Sequence, residues 1–222
     1  MTPETTTPPS DRFRARLLSA LPAHVSTFGW SDAALRAAAS DAGLSEGERM
    51  LAAPDGVIDM IDAFLDRADR DMMEGLASQD AARLKVRERV TLAVRLRIEA
   101  QVPFKAAVAK LPMGLMLHGG AHQGPKFVWR TADRIWRALG DLSTDANFYS
   151  KRAILSGVLA STYARWLADD SPQHEATWAF LDDRIANVMQ IEKVKARLKP
   201  LGGLGETITR FAARARYGGG QP

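Results

Sequence analysis

The chain reads as an all-α protein, and three observations predict it. From Asp11 onward apolar residues recur at three-to-four spacing, the period of a helix with one buried face. Helix-start signals precede several of these stretches: Ser31 before Asp32, Ser45 with Glu48 three residues on, and Ser143, Thr144 and Asp145 ahead of Ala146. No stretch sustains the apolar-polar alternation of a half-exposed strand. The expected organisation is a tail at 1–10, a small head at 11–55, a helical domain at 56–199, and a joint with an amphipathic helix at 200–222.

The tail, MTPETTTPPS, is rich in Thr and Pro and shows neither signal-peptide nor transit-peptide character. A first helix is expected from Asp11 to Leu21, with Phe13, Leu17, Leu18 and Leu21 in phase. Ser31 starts a second helix over Ala33 to Ala39, which ends at Gly43, and a third follows from Ser45 to Ala52. This helix, glycine turn, helix order resembles the helix-turn-helix head of TetR-type repressors. Charge argues against duplex binding. Between Ser31 and Asp66 stand the acids Asp32, Asp41, Glu46, Glu48, Asp55, Asp59, Asp62 and Asp66 against Arg36 and Arg49 alone. Phosphate contacts supply most non-specific affinity, so a recognition helix bearing Glu46 and Glu48 repels the backbone. The head is read as vestigial.

Val57 to Leu76 is a strong amphipathic helix with Val57, Ile61, Phe64, Leu65, Ala68 and Met72 inward, and with Asp59, Asp62, Asp66 and Asp69 expected on the solvated face. One acid per turn suits a solvated face better than a metal site. Arg83 to Ala100 inverts the sign, and some of its arginines can pair with that acidic row. After a short helix ending near Leu111, the glycines and prolines from Met113 to Pro125 predict a loop with one helical turn at most. His118 and His122 stand four apart across Gly119 and Gly120, with no carboxylate to complete a metal site.

Lys126 to Leu139 is expected to pack against a helix from Ala146 to Leu167. That second helix carries a large apolar stripe (Ile154, Leu155, Val158, Leu159, Trp166) and a small one (Ala153, Gly157, Ala160, Ala164), so it reads as buried nearly all round. The small stripe admits a close helix neighbour or leaves room for an apolar ligand. Met113, Met116, Leu117, Trp129, Trp136, Leu155 and Leu159 are the candidate lining of such a pocket, and equally the makings of an ordinary core. At the helix start, Asp145, Asn147, Phe148, Tyr149 and Arg152 combine adjacent aromatics with charge. Neighbouring side chains on a helix diverge by about 100°, so one ring is expected at the surface, as part of an interaction patch or of a capping turn.

His174 to Gln190 is the next helix. Beyond the glycines of LGGLG, Leu204, Ile208 and Phe211 share a face opposed by Arg210 and Arg214, a short basic amphipathic segment suited to a membrane surface. A frayed terminal helix folded on its own domain fits the same pattern.

With 222 residues, 46% of them apolar and 25% charged, the chain has the composition of a globular domain with a sizeable core. The absence of cysteine removes disulfides, thiol catalysis and thiolate metal sites. A net charge of +4 permits an anionic partner without naming one. No nucleophile elbow, zincin motif or phosphate loop is present, and Glu99, Glu175 and Glu192 lack the histidine three residues on that a carboxylate di-iron site requires. The residues alone point to a helical binding protein with no catalytic site and no metal.

The segment GDLSTDANFYSKRAILSGVLASTYARWLADDS, preceded by WRTADRIW and followed by TWAFLDDRIANVMQIEK, strongly resembles the coenzyme Q protein nine family of ubiquinone-biosynthesis accessory proteins. The likeness runs from about Ala20 to Leu198. It implies a TetR-like fold, a homodimer, no cofactor, and an isoprenoid quinone precursor or phospholipid bound as ligand. It implies a carboxy-terminal helix on a membrane, a di-iron demethoxyubiquinone hydroxylase as partner, and no nucleic acid partner. In a bacterium the place implied is the cytoplasmic face of the inner membrane. By motif, the hydroxylase-recruiting patch falls on Asp145, Asn147, Phe148, Tyr149 and Arg152. Phe148 stands where eukaryotic members commonly have tryptophan. A ligand-sensing TetR-type regulator is the competing expectation.

Overall fold

The computed structural model describes residues 8–79, 83–144 and 146–198, with side chains to Val188. It is all-α among the described residues: α1 Pro9–Phe28, α2 Asp32–Asp41, α3 Glu46–Ala52, α4 Val57–Ser78, α5 Val86–Glu99, α6 Lys105–Ala109, α7 Leu111–Leu117, α8 Gly124–Ala138, α9 Ala146–Leu167 and α10 Glu175–Leu198. The described residues up to Leu181 form one compact unit and those from Asp182 another.

In the head, α1 lies across α2 and α3. Ser31 caps α2 by accepting from the Ala34 N–H at 3.2 Å. Ser45 and Glu48 form the expected reciprocal pair at the start of α3. Small residues close this interior: Ala34, Ala38, Ala39, Ala52 and Ala53 are buried beside Leu17, Leu21 and Leu35. α1 runs past its expected end at Leu21 to Phe28, through Pro22. Proline forfeits one intrahelical hydrogen bond, but the Pro22 ring is buried and packing holds the helix together.

α4 contacts α1, α5, α7 and α8, and α8 packs along α9. The loop expected between Met113 and Pro125 is instead largely helical. Pro112 stands in the first turn of α7, where its missing N–H costs little, and Gly119, at φ 69°, follows the helix in a left-handed conformation. Gly114 inside α7 has a packing reason, since a Cβ there would lie 2.5 Å from Cβ of Trp30. Trp30 in turn donates its indole N–H to the Ala107 carbonyl at 2.9 Å, which ties the head to α6 and α7.

Two other expectations need correction. α9 is not buried all round: Leu155, Val158, Leu159 and Trp166 are buried, but the small stripe Ala153, Gly157, Ala160 and Ala164 is exposed. Asp69 is not on the solvated face but fully buried. Its charge is tolerated because Arg97 Nε donates to it at 2.6 Å, Arg134 Nη1 at 2.9 Å and the Thr131 hydroxyl at 2.9 Å. No helix among the described residues is long and apolar enough to cross a membrane.

Candidate functional site

The body of the fold carries an open-sided cavity of 490 Å³, within the range of small-molecule sites. Leu65 of α4, Val108 of α6, Leu111 and Leu115 of α7, Phe127 and Val128 of α8, and Leu159 and Leu167 of α9 make its walls apolar. The polar lining is confined to Arg97, Gln101, Thr131 and Tyr163. Arg97 Nη1 donates to the Tyr163 hydroxyl at 2.8 Å, and that hydroxyl donates to Gln101 Oε1 at 2.6 Å. Burial pushes the Tyr163 phenol up to about 12, so it stays protonated and keeps its hydrogen to donate. Arg97 also rests on Asp69 and donates to the Leu65 carbonyl at 3.2 Å.

Of the seven residues expected to line a pocket, Met116 and Leu159 line this one. Met113 and Leu117 are exposed on α7, because only one face of that short helix turns inward. Leu155 is an ordinary core residue. Trp129 and Trp136 belong elsewhere: the Trp129 ring lies 6.4 Å from that of Tyr149, and the Trp136 indole donates to the Lys151 carbonyl at 3.1 Å. Sequence reasoning missed Leu65, Arg97, Gln101 and Tyr163. A signal for two of them was present, since Gln101 follows Arg97 by four residues and Ile98 by three, on the side that Val94 and Ile98 bury.

The residues expected to form an interaction patch lie at the start of α9. Phe148 and Tyr149 meet edge to face at 5.1 Å, with Tyr149 exposed and Phe148 half-buried. Asn147 is exposed beside them, and Leu142, which the sequence reading passed over, is 91% exposed. Asp145 lies outside the described residues. Arg152 does not present its charge to the surface: it is 1% exposed. Its guanidinium donates to Asp133 at 2.6 Å, to Asp141 at 3.1 Å and to the Phe148 carbonyl at 3.1 Å, and it lies 3.5 Å over the Phe148 ring. Arg152 is the strut under the aromatic pair. Lys151, which donates to Asp141 at 2.7 Å, together with Ser143 and Arg152, holds the Asp141 carboxyl well below the usual carboxylate range.

The five residues expected at a membrane, Leu204, Ile208, Arg210, Phe211 and Arg214, lie outside the described residues. Among the described residues no three His, Asp or Glu side chains are grouped to hold a metal ion, and His118 Nδ1 instead meets the Gly114 carbonyl at 2.9 Å.

Residues 121–192, which span α8, α9 and most of α10, match the COQ9 family model. This stretch is similar to the COQ9 family. Both the cavity wall formed by α8 and α9 and the aromatic patch fall within it. The chain is 27% identical over 199 residues to the mitochondrial ubiquinone biosynthesis protein COQ9 of Bos taurus, covering 86% of this chain and 62% of that one. It is 25% identical over 199 residues to the probable coq9 protein of Dictyostelium discoideum, covering 87% and 64%, and 25% identical to COQ9 of Homo sapiens, covering 86% and 62%. The chain thus spans somewhat under two thirds of these curated relatives. Among solved structures, a TetR transcriptional regulator from Nitrosomonas europaea superposes with a TM-score of 0.66 at 20% identity, over 79% of this chain and 97% of that one. The fold is therefore TetR-like, as expected from the head.

Proposed function

We propose that this protein is a non-enzymatic accessory factor of ubiquinone biosynthesis, one that takes an isoprenoid quinone precursor from the membrane and presents it to a di-iron demethoxyubiquinone hydroxylase. The observation that carries the reading is the apolar cavity beside α9, whose α8 and α9 walls fall within the stretch similar to the COQ9 family. A polyisoprenoid tail does not leave a bilayer unaided, because returning each CH2 to water costs about 0.8 kcal/mol. A protein that shelters part of the molecule in an apolar chamber lowers that barrier. The exposed Met113, Met116 and Leu117 beside the cavity suit a lipid surface, and the basic segment around Leu204 to Arg214 suits anionic headgroups. Phe148 and Tyr149, propped by Arg152, offer aromatic anchors for a protein partner. A homodimer on the cytoplasmic face of a bacterial inner membrane completes the reading.

Native mass spectrometry with lipid extraction on protein purified from its own host tests it. A co-purified isoprenoid quinone or precursor is expected; phospholipid alone, or protein without lipid, would overturn the quinone assignment. The TetR-like fold favours a second reading, a ligand-sensing regulator. Against it, Arg49 of α3 is spent on Glu46 at 2.5 Å, and Glu48 is spent on its own cap. Salt-dependent binding to duplex DNA would favour the regulator, and its absence the accessory factor.

A further inference from the structure

Gln101 is 1% exposed and lines the cavity, yet its Nε2 donates to no atom among the described residues. The orientation of the amide follows from its neighbours. Arg97 can only donate, so the Tyr163 oxygen accepts from it, and the Tyr163 hydrogen goes to Gln101 Oε1 at 2.6 Å rather than to its other acceptor, the Arg97 carbonyl at 3.4 Å. The amide is thereby turned with its NH2 group left over. A buried amide donor without an acceptor is costly, and of the four polar residues in the lining Gln101 is the one left with a donor for an occupant to meet.

We propose that Gln101 Nε2 is the specificity-determining donor of the cavity, selecting an apolar ligand that carries a neutral carbonyl or ether oxygen at one end. The proposal rests on the lipid-binding reading above and sharpens it. The oxygen is neutral rather than anionic because Arg97, the charged residue of the lining, is already paired with Asp69 at 2.6 Å. A carboxylate or phosphate would meet no spare cation there and would forfeit its hydration. A quinone ring, with carbonyl oxygens next to a hydrocarbon tail, matches this chemistry. A fatty-acid headgroup does not.

The test compares two probes of equal tail length, a 1,4-benzoquinone bearing a decyl chain and decylbenzene, titrated against the full-length protein by native mass spectrometry. The wild type should prefer the quinone by about tenfold or more, the effect of satisfying one buried donor. Gln101→Met keeps the length and apolar volume but removes the donor, so the preference should fall to about one while the decylbenzene affinity persists and reports an intact cavity. Should Gln101→Met fail to fold, Gln101→Asn, which withdraws the donor by one methylene, should lower the same ratio. Equal affinity of the wild type for both probes, or an unchanged ratio in a folded variant, would overturn the role of Gln101 and leave lipid binding standing. Binding of neither probe to the wild type would overturn the lipid-binding reading itself.

Discussion

The head and the body of this chain are both built from packed helices, yet they treat small and polar residues in opposite ways. In the head, Ala34, Ala38, Ala39 and Ala52 bring α1, α2 and α3 together until nothing remains between them, and its charges stay at the surface in local pairs such as Arg49 with Glu46. In the body the helices leave a cavity of 490 Å³ between them, and Asp69, Arg97 and Thr131 are buried in a hydrogen-bonded network beside that space, with Arg134 at its edge. Small residues close an interior only when neighbours approach from every side. On α9 the small stripe is exposed, and Ala160 from it lines the cavity instead of meeting a close helix neighbour.

The comparison breaks most visibly at Asp69. Asp69→Ala should lower stability by about 3–5 kcal/mol, because it strands the buried Arg97; a melting temperature within a degree or two of the wild type would mean that the network bears no weight. Gly114→Ala acts where head and body meet and forces Trp30 to shift. The expected cost is about 1–3 kcal/mol, read in the same thermal melt, and a neutral result would show that α7 yields easily. In the head, Ser45→Ala removes one half of a surface capping box and should cost about 1 kcal/mol by denaturant titration.

A pH series sharpens the contrast further. Asp141 of the body titrates below its ordinary 3.8 because Lys151, Ser143 and Arg152 favour its charged form. Its contribution to stability is therefore complete above pH 3.8 and lost as the pH falls through the depressed value. Asp141→Asn should flatten the acid limb of stability below that point and leave the slope near neutrality untouched; an unaltered acid limb would contradict the assignment. The smallest expected change in stability, under about 0.5 kcal/mol, belongs to Tyr149→Ala at the surface. Its effect should appear instead as weaker hydroxylase binding in a pull-down with purified partners, and unchanged affinity in both Tyr149→Ala and Phe148→Ala would remove the patch from the function.

Local chemistry in this chain was legible from the sequence. The Ser45–Glu48 box, the Ser31 cap and the bounds of α9 each depend on residues within a few positions of one another, and all stand in the structure. Long-range pairing was not legible. Asp69 belongs to a regular row of acids on α4, and only Arg97 and Arg134, far along the chain, decide that it is buried. The spacing held a hint, since Asp69 lies four residues after Leu65 and three before Met72 on the inward side. Arg152 repeats the lesson: read as a surface cation, it stands three residues before the buried Leu155 and is enclosed by Asp133 and Asp141. A pocket beside α9 was expected and Met116 and Leu159 do line it, but its polar residues escaped notice for the same reason, because Arg97 of α5, Gln101 just beyond it, Thr131 of α8 and Tyr163 of α9 come from no single stretch.

The contact between Trp30 and Gly114 bears on how fast the cavity can exchange its contents. With α7 pinned to the head, a swing of that helix, a motion of microseconds to milliseconds, would have to break a buried contact first. Met116, which both lines the cavity and is 58% exposed, is an unbranched side chain on the same helix that reorients in picoseconds to nanoseconds. Met116 is thus a flexible side chain where the cavity meets the surface, carried on a helix that the Trp30–Gly114 contact holds in place.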